Sequence, residues 1–429
     1  MAQPGDLIIV GTYEEFVVGY TIVPEDDNEK KWSLVQTIAC HSHKGSVRSL
    51  ANGGAYLASG SLDETVQLYD VVNQVECTLL NHHSGTVNAL AFTENGTHLI
   101  TAGADGMIAI IRSGSWFTEK KWVGTHSGSG VTGLSVHPSG KLALSIGTDN
   151  RLVTWNLVKG RKAYVTDLSS RCRNGQGVGD VQWSPSGSSY AVYMTSHVEV
   201  YSVETAGVSH TITCSEKVTA ITFLDDDVIL VGEENGEASV HKLLPPSKSG
   251  EEGEKEEVVR FQAHERRVKC ARSFGPVKDA ARDAIQFVTA SSTGNICVWE
   301  LEDDEVEKIC EVNTGCRITC MTLVDLAKEL QIKLENDEAA EKAISNLVCL
   351  LRDISHINSE RSAKTLRRAK KRTASESSDT SIVSKKKSSS QPNSLNSPST
   401  SLKKEKRLKK KIKKNKSSSA GQWDVSSIE

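Results

Sequence analysis

The 429-residue chain carries 51 Lys and Arg against 54 Asp and Glu, a formal net charge of −3. The balance hides a division: from Lys364 onward there are 19 basic and five acidic residues, a net of +14, which leaves 32 and 49, a net of −17, for the first 363. An acidic folded body with a strongly basic tail is expected; with no run of 18 apolar residues and no basic-then-apolar start in MAQPGDLIIVGTYEEF, neither a membrane span nor a secretory signal is predicted.

In chain order, Leu7 to Val23 holds two strand patterns around a turn at Tyr13-Glu14-Glu15. An acidic loop, Glu25 to Glu29, leads to a third strand around Trp32 to Cys40. Similar hairpins then recur: Leu57–Asp70, Leu99–Arg112, Leu142–Asn156 and Phe287–Glu300. Their turn aspartates at 63, 105 and 149 are spaced by 42 and 44, and a histidine precedes each hairpin, at 43, 83, 126 and 264. One hairpin is marginal alone, so such units must pack on copies of themselves. A period of about 40–45 residues with four strands per unit resembles the WD-repeat β-propeller.

Blades are predicted at 43–80, 82–122 and 126–166, with weaker ones at 175–213 and 215–262 and a sixth from His264 to about Val312. The fourth has neither its histidine nor its aspartate in place. Arg317-Ile-Thr-Cys-Met-Thr-Leu323 is an entry strand with no hairpin behind it, and it completes a seventh blade with the three N-terminal strands. The fold class is therefore all-β: a seven-bladed propeller over 1–324, six or eight blades being the alternatives. Pro245–Glu257 and Gly275–Asp283 are expected to be solvated spacer loops, with partner contact as the alternative.

Asp325 to Arg361 changes to helical spacing (Leu326, Leu330, Leu334, Ile344, Leu347, Leu350, Leu351, Ile354), so 325–363 is an amphipathic segment, packed on the rim or binding a partner. Residues 364–429, rich in Lys and Ser, are too polar to fold alone. Their basic runs comprise Arg367, Arg368, Lys370, Lys371 and Arg372, Lys385 to Lys387, and Lys403, Lys404, Lys406, Arg407, Lys409, Lys410, Lys411, Lys413, Lys414 and Lys416. Such blocks serve nuclear localisation or sequence-blind phosphate contacts with RNA. Thr373, Ser375 and Ser377 lie between basic and acidic residues as candidate phosphorylation sites.

Several constellations imitate chemistry. His43, Ser59, Asp63 and Tyr69; His83, Thr101 and Asp105; and His126, Ser145, Asp149 and Trp155 read as Ser/Thr–His–Asp sets, one per complete blade, with His264, Thr289 and Trp299 as a further set lacking its Asp. Catalysis needs one arranged site with an oxyanion hole, so the repetition points to buried hydrogen-bond relays. Blade two has Ile111 for the aromatic and blade six has Thr293 for Asp, which shortens both relays. Gly128-Ser-Gly130-Val-Thr-Gly133 matches a dinucleotide fingerprint but precedes a strand pattern rather than a helix. Ten cysteines are scattered without metal spacing, Cys316-x-x-x-Cys320 lying in one strand pattern, so a reduced intracellular protein with no metal, no cofactor and no enzyme activity is expected. Arg48, Leu62, Ala104, Thr148, Arg266 and Arg267 fall near loops where partners usually dock.

Within the WD-repeat class, His137-Pro-Ser-Gly-Lys-Leu-Ala-Leu-Ser-Ile-Gly-Thr-Asp149 with Trp155-Asn-Leu-Val-Lys-Gly-Arg161 resembles the p21-activated kinase-interacting protein family. So do Val181-Gln-Trp-Ser-Pro185, Ala263-His-Glu-Arg-Arg-Val-Lys269, Arg317-Ile-Thr-Cys320, His82-His83-Ser-Gly85 and the lysine-rich tail. The resemblance implies a nucleolar role with pre-ribosomal proteins in assembling the large ribosomal subunit, and binding and restraint of a p21-activated kinase. The helical segment and the acidic insertion depart from that family pattern.

Overall fold

Leu7-Ile-Ile-Val10 shows how the chain is held together. Leu7 and Ile9 pack with Val47 and Leu50, while Ile8 and Val10 pack with Val288 and Val298. Alternate residues of a strand face opposite sides, so a strand apolar on both faces must lie between two sheets.

The computed structural model describes residues 6–26, 29–172, 177–243, 256–276 and 284–336. The strands are, in order, β1 (Asp6–Thr12), β2 (Val17–Asp26), β3 (Glu29–Cys40), β4 (Val47–Gly53), β5 (Tyr56–Ser61), β6 (Val66–Asp70), β7 (Val75–Leu80), β8 (Val87–Phe92), β9 (His98–Gly103), β10 (Ile108–Arg112), β11 (Thr118–Trp122), β12 (Val131–Val136), β13 (Leu142–Gly147) and β14 (Arg151–Asn156). They continue as β15 (Arg161–Asp167), β16 (Val181–Trp183), β17 (Ser189–Tyr193), β18 (His197–Ser202), β19 (Gly207–Thr213), β20 (Val218–Asp225), β21 (Val228–Glu233), β22 (Glu237–Lys242), β23 (Glu256–Gln262), β24 (Val268–Pro276), β25 (Ile285–Ser291), β26 (Asn295–Glu302), β27 (Glu305–Asn313) and β28 (Ile318–Asp325), followed by α1 (Leu326–Asn336).

These make seven four-stranded antiparallel sheets. Six are consecutive quartets, β4–β7 through β24–β27, and form blades one to six. The seventh has the order β28-β1-β2-β3, with Leu7 opposite Val324 and Val10 opposite Met321. The chain ends of the ring are thus zipped together, as the orphan strand implied. Inner strands of successive blades touch around a closed circuit, β4 to β8 and onward to β28 and back to β4.

There is no single core. Each of seven apolar clusters fills one seam between neighbouring blades. Phe287, for example, lies fully buried between blades five and six among Leu230, Val240 and Val268. The seams also carry hydrogen bonds between inner strands. In six blades a β-bulge sets one extra residue into the inner strand: Arg48, Asn88, Thr132, Thr219, Lys269 and Thr319. A bulge re-aims its side chain. Asn88 Nδ2 donates to Val131 O (2.8 Å), Thr219 Oγ1 to Val268 O (2.5 Å), and Thr319 Oγ1 to both Gly11 O (2.9 Å) and Val47 O.

Several boundaries differ from the sequence reading. Glu25, Asp26 and Glu29 belong to β2 and β3, and Glu256 and Glu257 open β23 opposite Lys242 and His241. Charge does not end a strand on the solvent-washed rim, where the ladder satisfies the backbone. Gly275 and Pro276 likewise extend β24 against Gln286 and Ile285. Cys316 precedes β28 and only Cys320 lies in it. Asp325 ends β28 and caps α1, its Oδ1 accepting Lys328 N at 2.8 Å. Leu326 packs beside the cluster of Leu7 and Val47. The remaining helical positions from Ile344 onward, the candidate phosphorylation sites, most of the 245–257 insertion, residues 277–283 and every basic run of the tail lie outside the described residues.

Candidate interaction face and its buried relays

The loops leading into the inner strands and the turns joining the two middle strands lie together at one end of the ring. Leu62 N donates to Ser46 O (3.0 Å), Ala104 N to Thr86 O (2.8 Å), Thr148 N to Gly130 O (3.0 Å) and Tyr13 N to Arg317 O (2.8 Å). Beneath this face sit the polar sets of blades one to three and six.

In blade three, Trp155 Nε1 donates to Ser145 Oγ (2.9 Å), Ser145 Oγ lies 2.8 Å from His126 Nε2, and His126 Nδ1 lies 2.9 Å from Asp149 Oδ1. A neutral imidazole protonated on Nδ1 makes this an unbroken donor chain from indole to carboxylate. Asp149 reaches its place because Asn150 takes φ +55° in the turn, a left-handed conformation that Asn tolerates. In blade one, His43 lies 3.1 Å from Asp63 and 2.7 Å from Ser59, whose Oγ is 3.2 Å from the Tyr69 hydroxyl. In blade two, His83 lies 3.0 Å from Asp105 and 2.8 Å from Thr101; His82 also reaches Thr101 at 2.8 Å, and Ile111 fills the aromatic position.

Blade six keeps the far end only. Trp299 Nε1 donates to Thr289 Oγ1 (2.8 Å), which is 2.9 Å from His264 Nε2. Thr293 turns to Ser291 (3.0 Å), and the Cys297 sulfur lies 4.0 Å from His264 Nδ1, with Glu311 beyond it, 3.9 Å from the sulfur.

Burial pushes His83 and His126 below the usual imidazole range, with Asp105 and Asp149 opposing it. Burial takes His264, which has no such carboxylate on Nδ1, down to about 4. Burial raises Asp63, but hydrogen bonds from the Thr65 side chain and the Lys44 backbone outweigh it and hold the carboxyl low. Ser59, Thr101, Ser145 and Thr289 are 0% exposed, so no substrate reaches any of these hydroxyls.

Blades four and five use other groups, which the sequence reading passed over. Glu199 in β18 accepts from Arg171 Nη1 (2.9 Å) and from the Tyr201 hydroxyl (2.7 Å), and the guanidinium lies 5.8 Å from the Tyr201 ring. Glu233 accepts from Ser215 Oγ and Glu216 N, both at 3.0 Å. An acidic residue within a middle strand, the third of β18 and the last of β21, was the available signal in each.

Of the loop positions singled out, Leu62 is 53% exposed, and Arg267 pairs with Glu234 at 3.5 Å. Tyr13, also on this face, is 55% exposed beneath the Arg317 guanidinium at 4.9 Å. Arg48 is not on a loop: it lines the central channel, a cavity of about 450 Å³, with Lys269, Arg272 and Asp180. The Gly128–Gly133 motif leads into β12, a strand. Among the described residues no three His, Cys, Asp or Glu are grouped to hold a metal, and no helix is long and apolar enough to cross a membrane.

The WD domain, G-beta repeat model matches residues 32–70, 74–111 and 120–156. A Danio rerio protein described as p21-activated protein kinase-interacting protein 1-like is 35% identical over 321 residues, covering 73% of this chain and 79% of the relative. The chain belongs to the p21-activated kinase-interacting protein family. Two fungal relatives are more distant: Shk1 kinase-binding protein 15 of Schizosaccharomyces pombe, 29% identical over 78% of this chain and 89% of its own, and MAK11 of Saccharomyces cerevisiae, 26% identical over 78% and 87%. The polar sets supply internal hydrogen bonds to blades one, two, three and six.

Proposed function

We propose that this protein is a non-catalytic scaffold of the nucleolus that acts in assembly of the large ribosomal subunit. The observation that carries the reading is that the hydroxyl and imidazole of every Ser/Thr–His–Asp set are buried inside a blade, which leaves surfaces rather than a reactive site. Family membership supports the pre-ribosomal role, and the charge division supports the location: residues 364–429 hold 19 of 51 basic residues. Imaging of the tagged chain should place it in nucleoli, and depletion should lower large-subunit levels. Exclusion from nucleoli with normal subunit levels overturns the reading. Deleting 364–429 should leave the protein mainly cytoplasmic, and an appended unrelated nuclear signal should restore entry.

A second reading, restraint of a p21-activated kinase, is favoured by the names of the Danio rerio and Schizosaccharomyces pombe relatives. Purified full-length protein should then bind the kinase's regulatory region and lower its activation. Failure of both measurements removes this reading.

A further inference from the structure

The acidic body is not uniformly acidic. Between Arg112 and Arg171 there are nine Lys and Arg against three Asp and Glu, a net of +6, so the rest of the first 363 residues carries −23. This stretch supplies the outer strand of blade two and the whole of blade three. Outer strands β11 and β15 are the most exposed in their sheets, and Lys120, Lys121, Lys141, Lys159, Arg161 and Lys162 are all exposed.

The two blades present these charges on one continuous rim. Trp122 of β11 stacks on Trp155 of blade three, with centroids 4.3 Å apart, and its Nε1 donates to Gly160 O at 3.2 Å, between Lys159 and Arg161. Lys162 Nζ donates to Thr125 O (2.7 Å) in the connection from blade two. Lys141 O accepts Leu157 N, which ties its turn to the one bearing Lys159. Ion pairs use up Arg112, with Glu119, and Arg171, with Glu199. Among the described residues no carboxylate pairs with Lys120, Lys121, Lys141, Lys159 or Arg161.

We infer that the rim of blades two and three binds the sugar-phosphate backbone of RNA. Long cations strung along an exposed edge fit a linear polyanion, and neutralised phosphates release counterions to drive association. Phe117 and Tyr164, 70% and 68% exposed in the same stretch, offer faces on which bases stack. The exposed aliphatic side chains there, Val123, Val158 and Val165, lie in the connection after β11, in the turn before β15 and in β15 itself, each among charged or polar neighbours, and do not make the fully buried apolar centre a protein interface needs. The inference deepens the pre-ribosomal reading by giving the ring an RNA contact of its own, independent of the tail.

The test uses the full chain and a single-stranded RNA oligonucleotide. Lys120, Lys141, Lys159 and Arg161 are changed together to Gln; a control changes Lys44, Lys217, Lys242 and Arg266, exposed cations elsewhere on the ring. The rim variant should lose affinity by about tenfold near physiological salt, and its log–log salt slope should fall by about 3, from about 0.7 per lost phosphate contact. The control should keep both. Ultraviolet cross-linking of the unaltered chain should mark peptides containing Phe117 or Tyr164. Equal losses in the two variants, no loss in either, or loss of polyglutamate binding with RNA binding intact would each overturn the inference, the last by assigning the rim to an acidic protein. Because binding is measured directly, absence of the protein from nucleoli would defeat the scaffold reading without touching this one.

Discussion

Blades three and six share the tryptophan–hydroxyl end of their relays and differ at the carboxylate end. In both, an indole N–H meets a buried hydroxyl that meets a histidine Nε2. In blade three Asp149 closes the chain, whereas in blade six Thr293 bonds to Ser291 instead and a thiol lies 4.0 Å from His264 Nδ1. The relay is therefore graded. Packing of the indole holds a blade together, and the carboxylate adds orientation and fixes the imidazole tautomer.

The tryptophan end carries the largest expected effect. Trp155→Ala and Trp299→Ala each remove a ring that is 2% and 6% exposed, and each should cost about 3–5 kcal/mol in chemical denaturation. A cost confined to blade three would show that the shared end is not shared. The carboxylate end comes next. Asp149→Ala leaves the His126 N–H without its acceptor in a buried site and should cost roughly 1–3 kcal/mol. Thr293→Ala removes no relay contact and should cost clearly less; equal melting shifts would refute the division between the two ends.

The smallest effect is a gain. A histidine whose pKa is depressed on folding contributes stability that is present above its unfolded value, about 6.5, and lost as pH falls toward its folded value. For His264 that window runs from about 6.5 to about 4. Thr293→Asp should supply the missing acceptor, raise the His264 pKa and flatten the acid-side loss of melting temperature between pH 6.5 and 4. An unchanged pH profile would mean that the new carboxylate does not reach Nδ1.

The architecture was legible because its cause is periodic. His, Gly-x-Asp and alternating apolar residues recur at one spacing, and a strand without a hairpin demanded a partner at the other end of the chain. What escaped was whatever broke the period. Arg171 and Glu199 are 28 residues apart, in a long connection and a middle strand, and no local pattern pairs them. The bulges that turn Asn88, Thr219 and Thr319 toward neighbouring blades are one-residue register shifts, invisible to alternation counted over several residues. The basic rim was hidden by averaging, since a net of −17 over 363 residues conceals a positive stretch. The acidic run at 25–29 reads as a loop from its charge, but Glu25 and Asp26 continue β2 and Glu29 opens β3, because the backbone ladder does not depend on side-chain charge.

The zipper between β1 and β28 has a consequence for how the molecule is made. Thr319 bonds to Gly11 across 308 residues of chain, so the first strand synthesised waits for the last. At about 5–20 residues per second, that wait lasts roughly 15–60 s. Throughout it, Leu7-Ile-Ile-Val10 has β2 on one side and an unfilled edge on the other, a β-rich apolar template open to any passing strand. A nascent chain stalled before β28 keeps the edge of β1 open that the finished ring covers, and it should be the aggregation-prone species.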